Sequence, residues 1–228
     1  MSNERRAELA RNLERVETQI AEACEQAQRP RKDITLIAVT KTYPASDVDL
    51  LAELGIADVG ENRHPEAGRK RAECQAQVRW HFIGGLQTNK ASVVAAYADV
   101  VHSVDRRKLV AALDRGAAGV DRVLDCLIQV DFDTTNPGRA GVAPSGVAEI
   151  TEIIAASDNL RLAGVMTVAP LGVDPEPAFA QLRDISALLC ETHPEANIIS
   201  SGMSEDFALA IKHGATHLRI GRSILGNR

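Results

Sequence analysis

The run ITLIAVTK, residues 34 to 41, closes an apolar and β-branched stretch with a lysine. Apolar runs bounded by turn residues read as buried strands, so Lys41 falls where a core strand leaves its sheet. A lysine at that place is either a solvated strand end or a reactive amine. The first is commoner, because a buried ammonium needs a partner or a task. Two later stretches bear on the choice. Ser200-Ser201-Gly202-Met203-Ser204 and Arg219-Ile220-Gly221-Arg222-Ser223 each set small residues ahead of a helical pattern. There, backbone N–H groups can approach an anion. Singly, such a serine is usually only a helix cap. An amine combined with an anion cradle suits a phosphorylated aldehyde, whose carbonyl condenses with the neutral amine to a Schiff base.

The elements that must bring these stretches together are legible as a repeat. Apolar runs occur at 34–40, 57–60, 78–84, 99–104, 122–130, 160–168, 197–202 and 216–221. Helical patterns lie between them, starting near Ser46, after Ser103, around Pro144, from Asp174 and from Ser204. A long polar helix precedes them over residues 4–28, with Leu9, Leu13, Val16 and Ile20 at spacings of three and four, and Arg29-Pro30 stops it. Strands alternating with helices predict an α/β fold, either a closed (β/α)₈ barrel or an open doubly wound sheet. No G-x-G-x-x-G follows the first strand, which weakens a dinucleotide-binding open sheet. With no linker or change of composition, the expectation is a single-domain TIM-type barrel over residues 1–228, with an extra N-terminal helix.

Barrels of this kind carry their chemistry at the C-terminal ends of the strands, with phosphate sites often in the loops after strands 7 and 8. Lys41 and both cradles fall there, with Glu61, Asn62, His81, His102, Met166 and Thr167. Pyridoxal 5′-phosphate carries an aldehyde and a phosphate on one ring and fits such a mouth. Glu205 and Asp206 would repel a phosphate unless they point away.

AVTKTYP, DVGENR, WHFIGGLQTNK, GVMTV and SSGMSEDFALAIKHGATHLRIGRSILG, in this order, closely resemble the YggS/PROSC family of pyridoxal phosphate homeostasis proteins, over nearly the whole chain. The resemblance implies a barrel like the N-terminal domain of bacterial alanine racemase, with the cofactor linked to Lys41. It further implies phosphate contacts from Ser204 and from the backbone at Gly221 and Arg222, Arg219 facing the pyridine nitrogen, and Asn62 near the ring. Three places depart from the family pattern. Gly85 stands where a second histidine is common, RHPEA follows Asn62, and DFDTTNPGRAG occupies 131–141. They concern the rim of the mouth.

Other residues read as structural. Alternation along VRWHFIG turns His81 inward as a hydrogen-bonded core histidine. His102, His213 and His217 show no ligand spacing, and Met166 reads as core. Lys90 reads as solvated, and Arg63, Arg69, Lys70 and Arg71 as a solvated helix face. Cys24, Cys74, Cys126 and Cys190 are scattered without a C-x-x-C pair, so neither a zinc site nor a disulfide framework is indicated.

A net charge of −5 with mixed signs in 228 residues gives no general attraction to nucleic acid or an anionic membrane. The charged N-terminal segment has no secretory pattern, and no apolar run approaches the roughly 20 residues that span a bilayer. A cytoplasmic monomer is expected. Its function reads as holding pyridoxal 5′-phosphate on Lys41 and passing it to apo-enzymes, without catalysis of its own. The alternative is a racemase or another enzyme acting at the α-carbon. A two-base racemase uses a tyrosine on the far face of the cofactor, supplied with a second domain. Here only Tyr43 and Tyr97 are present, and the chain ends soon after its eighth strand.

Overall fold

The computed structural model describes residues 2–133, 139–170 and 172–226. Eight strands, β1 (Thr35–Val39), β2 (Asp58–Glu61), β3 (Arg79–Phe82), β4 (Val100–Val104), β5 (Leu124–Gln129), β6 (Leu160–Met166), β7 (Ile198–Ser200) and β8 (His217–Ile220), form one closed barrel in chain order. All neighbours pair in parallel. Closure comes from β8 lying against β1, with Ile37 opposite Arg219 and Ala38 opposite Ile220. Each of the eight apolar runs contains a strand, and β2 continues one residue past its run to Glu61.

The helices are α1 (Ser2–Gln26), α2 (Ala45–Glu53), α3 (Glu66–Glu73), α4 (Ala91–Ala95), α5 (Arg107–Ala118), α6 (Val147–Ala155), α7 (Glu176–Thr192), α8 (Phe207–Lys212) and α9 (Arg222–Leu225). α1 is the expected extra helix. Its stripe of Leu9, Leu13, Val16 and Ile20 is buried in one cluster with residues of α2, α8 and α9. At roughly 1.5–3 kcal/mol per buried aliphatic side chain, that stripe holds the helix in place. Arg5 adds to it by bonding Asp47 of α2 at 2.6 Å and the Leu225 carbonyl of α9 at 3.0 Å. α8 starts at Phe207 rather than Ser204, because the Asp206 carboxylate accepts the Met203 N–H at 2.6 Å and keeps residues 204–206 in a turn.

The barrel wall separates two environments. Trp80 and Phe82 alternate with His81 along β3, and the two aromatic residues belong to the apolar layers beneath the helices. His81 turns the other way, as its alternation predicts, toward a lumen that also holds His102, His217 and Arg219. All four of these are at most 9% exposed. Among the described residues, no helix is long and apolar enough to cross a membrane.

Burial in the lumen disfavours the charged form of each imidazole and lowers the pKa of His81, His102 and His217, the last to about 4. In the unfolded chain His217 titrates near 6.5. The unfolded state therefore binds the extra proton first as pH falls, and stability present above pH 6.5 is lost on the way to pH 4. The contribution of His217 is on the order of 3 kcal/mol. Urea unfolding at pH 7 and pH 4.5 should show a marked loss for the parent and a smaller one for His217→Asn. Equal losses in the two proteins would mean that His217 is not held neutral.

Candidate functional site

The strand order brings the expected residues to one end of the barrel on four consecutive strands. β7, β8, β1 and β2 lead to Ser204, Gly221, Lys41 and Asn62 respectively, while Arg219 lies within β8 itself. The Gly202 carbonyl accepts the Arg219 N–H at 3.0 Å, which ties the loop after β7 to β8. Gly202 has φ +92°, and a Cβ there would stand 2.8 Å from the Cβ of Ala210, so this turn requires glycine. Across the mouth, the exit of β3 passes so close to Asn62 that a Cβ on Gly84 would stand 2.1 Å from the Asn62 carbonyl oxygen. The Asn62 Oδ1 is itself buried without a hydrogen-bond partner among the described residues.

Lys41 is exposed, immediately after the buried Thr40. Both of its flanking residues are pinned. Lys70 donates to the Thr40 carbonyl at 2.6 Å and to Glu61 Oε1 at 2.5 Å, and the Thr40 hydroxyl donates to the same carboxylate oxygen at 2.6 Å. On the other side, Glu66 Oε1 accepts the Thr42 N–H at 2.6 Å. Thr42 has φ +69°, a left-handed conformation that costs a β-branched residue about 1–3 kcal/mol and persists because its surroundings fix it. The lysine is thus carried on a constrained turn.

Lys70 corrects the reading of residues 63–71 as a solvated helix face. It is 4% exposed, on the same helical stripe as the buried Ala67 and Cys74. Spacings of three and seven from Ala67 were the available signal. Its charge hid it, because an inward stripe of Ala, Lys and Cys has no hydrophobic period. Arg63, Arg69 and Arg71 are not buried. Burial raises the Glu61 carboxyl above its usual range, while Lys70 and Thr40 act against that shift.

Arg219 faces the lumen below the mouth. Its guanidinium donates to the Ser200 hydroxyl at 2.6 Å and to the Thr167 carbonyl at 2.8 Å. Among the described residues it has no carboxylate at ion-pair distance, and burial lowers its pKa to about 10. Ser204 is half-buried in the turn after β7. Gly221 sits against β1, and the first N–H groups of α9 have no intrahelical acceptor, as in any helix. The Arg222 side chain does not join the mouth's interior: it is exposed, 3.6 Å from an equally exposed Glu205. Its backbone alone remains available. Glu205 therefore points outward, and Asp206 is turned back onto Met203.

Among the departures from the family pattern, Gly85 is exposed and a Cβ there would meet only Ala140, at 4.0 Å. In the 131–141 stretch, residues 134–138 lie outside the described residues. Arg139 bonds the Val168 carbonyl and pairs with Asp131 at 3.2 Å. Among the described residues, no group of three or more His, Cys, Asp or Glu side chains is placed to hold a metal ion.

Residues 11–228 match the family model described as alanine racemase, N-terminal domain. A pyridoxal phosphate homeostasis protein of Corynebacterium glutamicum is 42% identical, over 88% of this chain and 93% of its own. The chain belongs to the pyridoxal phosphate homeostasis protein family. PipY of Synechococcus elongatus, a COG0325 family member solved with PLP bound, superposes with a TM-score of 0.82 at 32% identity, covering 96% of this chain and all of its own (100%). Alanine racemase of Corynebacterium glutamicum superposes with a TM-score of 0.74 at 16% identity, over 98% of this chain and 62% of its own. At that identity the likeness is one of fold, and it matches the expected barrel.

Within this family member the Glu61–Lys70 pair can be tested by itself. Removing one partner of a buried pair strands the other charge and costs about 3–5 kcal/mol, whereas replacing both with apolar or neutral groups costs far less. Lys70→Ala should lower unfolding stability by that amount, and Glu61→Gln/Lys70→Met should recover most of it. A Lys70→Ala protein as stable as the parent would contradict the burial of this charge.

Proposed function

We propose that this protein holds pyridoxal 5′-phosphate on Lys41 as a Schiff base and acts in intracellular homeostasis of that cofactor, keeping a reactive aldehyde from other amines and giving it up to apo-enzymes. The observation that carries the reading is Arg219. It is a buried guanidinium with N–H donors beyond the two it spends on Ser200 and Thr167 and, among the described residues, no carboxylate at ion-pair distance, one strand away from an exposed lysine on a constrained turn. Such a donor set fits a ring nitrogen and an aldehyde on one ligand. The family and the PLP-bound PipY support the same cofactor. When bound, the cofactor supplies the aldehyde.

The residues of this chain bind and orient it. Lys41 offers the amine, and its turn limits where that amine can reach. Ser204 and the N–H groups at Gly221 and Arg222 are placed for the phosphate, and Asn62 for the edge of the ring. Arg219 donates toward the pyridine nitrogen and disfavours a proton there, since a second positive charge beside guanidinium is costly. The protein works as a carrier in the cytoplasm and as a monomer.

Both tyrosines speak against an opposite-face base. The Tyr43 hydroxyl donates to the Gly226 carbonyl at 2.7 Å. The Tyr97 hydroxyl is buried and its pKa is raised well above the usual phenol value, chiefly by that burial. General acid–base assistance contributes ~10²–10⁴-fold, so racemisation without it should be a trace activity.

Borohydride treatment of the yellow, loaded protein should fix the cofactor on Lys41, and Lys41→Ala should abolish the adduct. The same adduct on the variant would sink the assignment. Ser204→Ala removes one charge-assisted hydrogen bond of roughly 1.5–3 kcal/mol and should weaken cofactor retention by about one to two decades. Equal retention in a competition assay would place the phosphate elsewhere. In deuterated water, L-alanine should gain α-deuterium far more slowly than about 1 s⁻¹, and a rate at or above that would favour an enzyme.

A further inference from the structure

Arg219 is the first member of a longer chain of contacts. Ser200 Oγ, which accepts from Arg219, lies 3.0 Å from His102 Nδ1. His102 Nε2 lies 2.8 Å from His81 Nδ1, and His81 Nε2 lies 2.8 Å from Asp58 Oδ1. Ser200 is on β7 and His102 on β4, so the contact spans the lumen. Asp58 opens β2 at the opposite end of the barrel from the mouth. Ser200, His102 and His81 are at most 1% exposed, and the Asp58 side chain is 16% exposed.

Donor and acceptor rules fix the direction of every link, and the two ends agree. From the mouth, guanidinium can only donate, so Ser200 accepts. The serine's own hydrogen then goes to His102 Nδ1, since no other acceptor is found for it among the described residues and an unmade bond of a buried hydroxyl costs about 1–3 kcal/mol. A neutral His102 thus carries its hydrogen on Nε2 and donates to His81 Nδ1. From the other end, the Asp58 carboxylate only accepts, so His81 carries its hydrogen on Nε2 and must accept at Nδ1. Burial keeps both rings neutral. Burial opposes the charge of Asp58, but the His81 hydrogen bond and the nearby Arg79 guanidinium hold its pKa below the usual value and keep it ionised.

We propose that Ser200, His102, His81 and Asp58 are positioning residues for Arg219: a one-way hydrogen-bond relay that locks its guanidinium and links its unpaired charge to a carboxylate at the far end of the barrel. The relay and the Thr167 carbonyl take two of the Arg219 N–H groups, and on the reading above the others serve the pyridine nitrogen. A reversed link anywhere would leave two donors or two acceptors face to face, so the relay holds as a unit.

Long-range ¹H–¹⁵N correlation on the ¹⁵N-labelled full chain without cofactor distinguishes the two neutral tautomers and the imidazolium. At pH 7, His81 and His102 should both be neutral with the hydrogen on Nε2. A hydrogen on Nδ1 of either ring, or an imidazolium, overturns the relay. Since Asp58 still sets both rings from the other end, Ser200→Ala should leave both hydrogens on Nε2 and weaken retention of pyridoxal phosphate about ten-fold, whereas Ser200→Ala/Asp58→Ala removes both ends and should give a mixture of tautomers at His102 and His81. A single tautomer at both rings of the double variant, or retention by Ser200→Ala within two-fold of the parent, overturns the positioning role. The parent's tautomers are read without cofactor, so a parent that bound no pyridoxal phosphate would defeat the proposed function and leave the relay's direction standing on its own result.

Discussion

The positive charge of Arg219 is buried in a barrel lumen with no carboxylate at ion-pair distance among the described residues. Taking an ion out of water costs several kcal/mol even after the surroundings relax, so its neighbours must return that cost through fixed dipoles. They do so on two sides: the Thr167 carbonyl accepts one N–H, and Ser200 accepts another with two histidines and Asp58 behind it. Leucine and valine would fill most of an ordinary barrel interior. Here polar and charged residues share the interior with apolar ones, of which Val100, Leu127 and Met166 pack in one small cluster. A polar lumen of this kind is costly to stability and is retained where the charge has a use.

A second buried cation sits beneath the mouth. Lys70 does not face the lumen as Arg219 does; it reaches the backbone of the turn that bears Lys41, with Glu61 beside it to carry the opposite charge. Two lysines therefore divide the labour. One is exposed, and the other is buried with its bonds made to the turn that carries the first and to Glu61. The arrangement also accounts for the left-handed Thr42, whose N–H is held by Glu66 from the same helix that carries Lys70.

The barrel was legible because parallel strands buried on both faces write themselves as apolar runs, and eight of them alternated with helices. Lys41, Arg219 and Ser204 were legible as places in that repeat, at strand ends and in the loops after β7 and β8. The inward turn of His81 followed from alternation with Trp80 and Phe82. Hidden from sequence were the partners that fix these residues. Lys70 looks like any surface lysine until Ala67 and Cys74 show which face of α3 is buried. Helix α3 read as a solvated face because its inward residues, Ala67 and Lys70, form no hydrophobic period. The run of contacts from Ser200 to Asp58 joins β7, β4, β3 and β2, and no spacing along one chain encodes a bond across a lumen. The start of α8 moved because Asp206, rather than Ser204, closes that turn.

The central claim is that one mouth presents Lys41, Arg219 and Ser204 to a single molecule of pyridoxal 5′-phosphate. A crystal structure of the loaded protein tests it most directly. The account predicts continuous density from Lys41 Nζ to the cofactor, a guanidinium nitrogen of Arg219 within hydrogen-bond distance of the ring nitrogen, and the phosphate on Ser204 and the Gly221–Arg222 backbone. Density joined to another lysine, or a ring nitrogen turned away from Arg219, would contradict it.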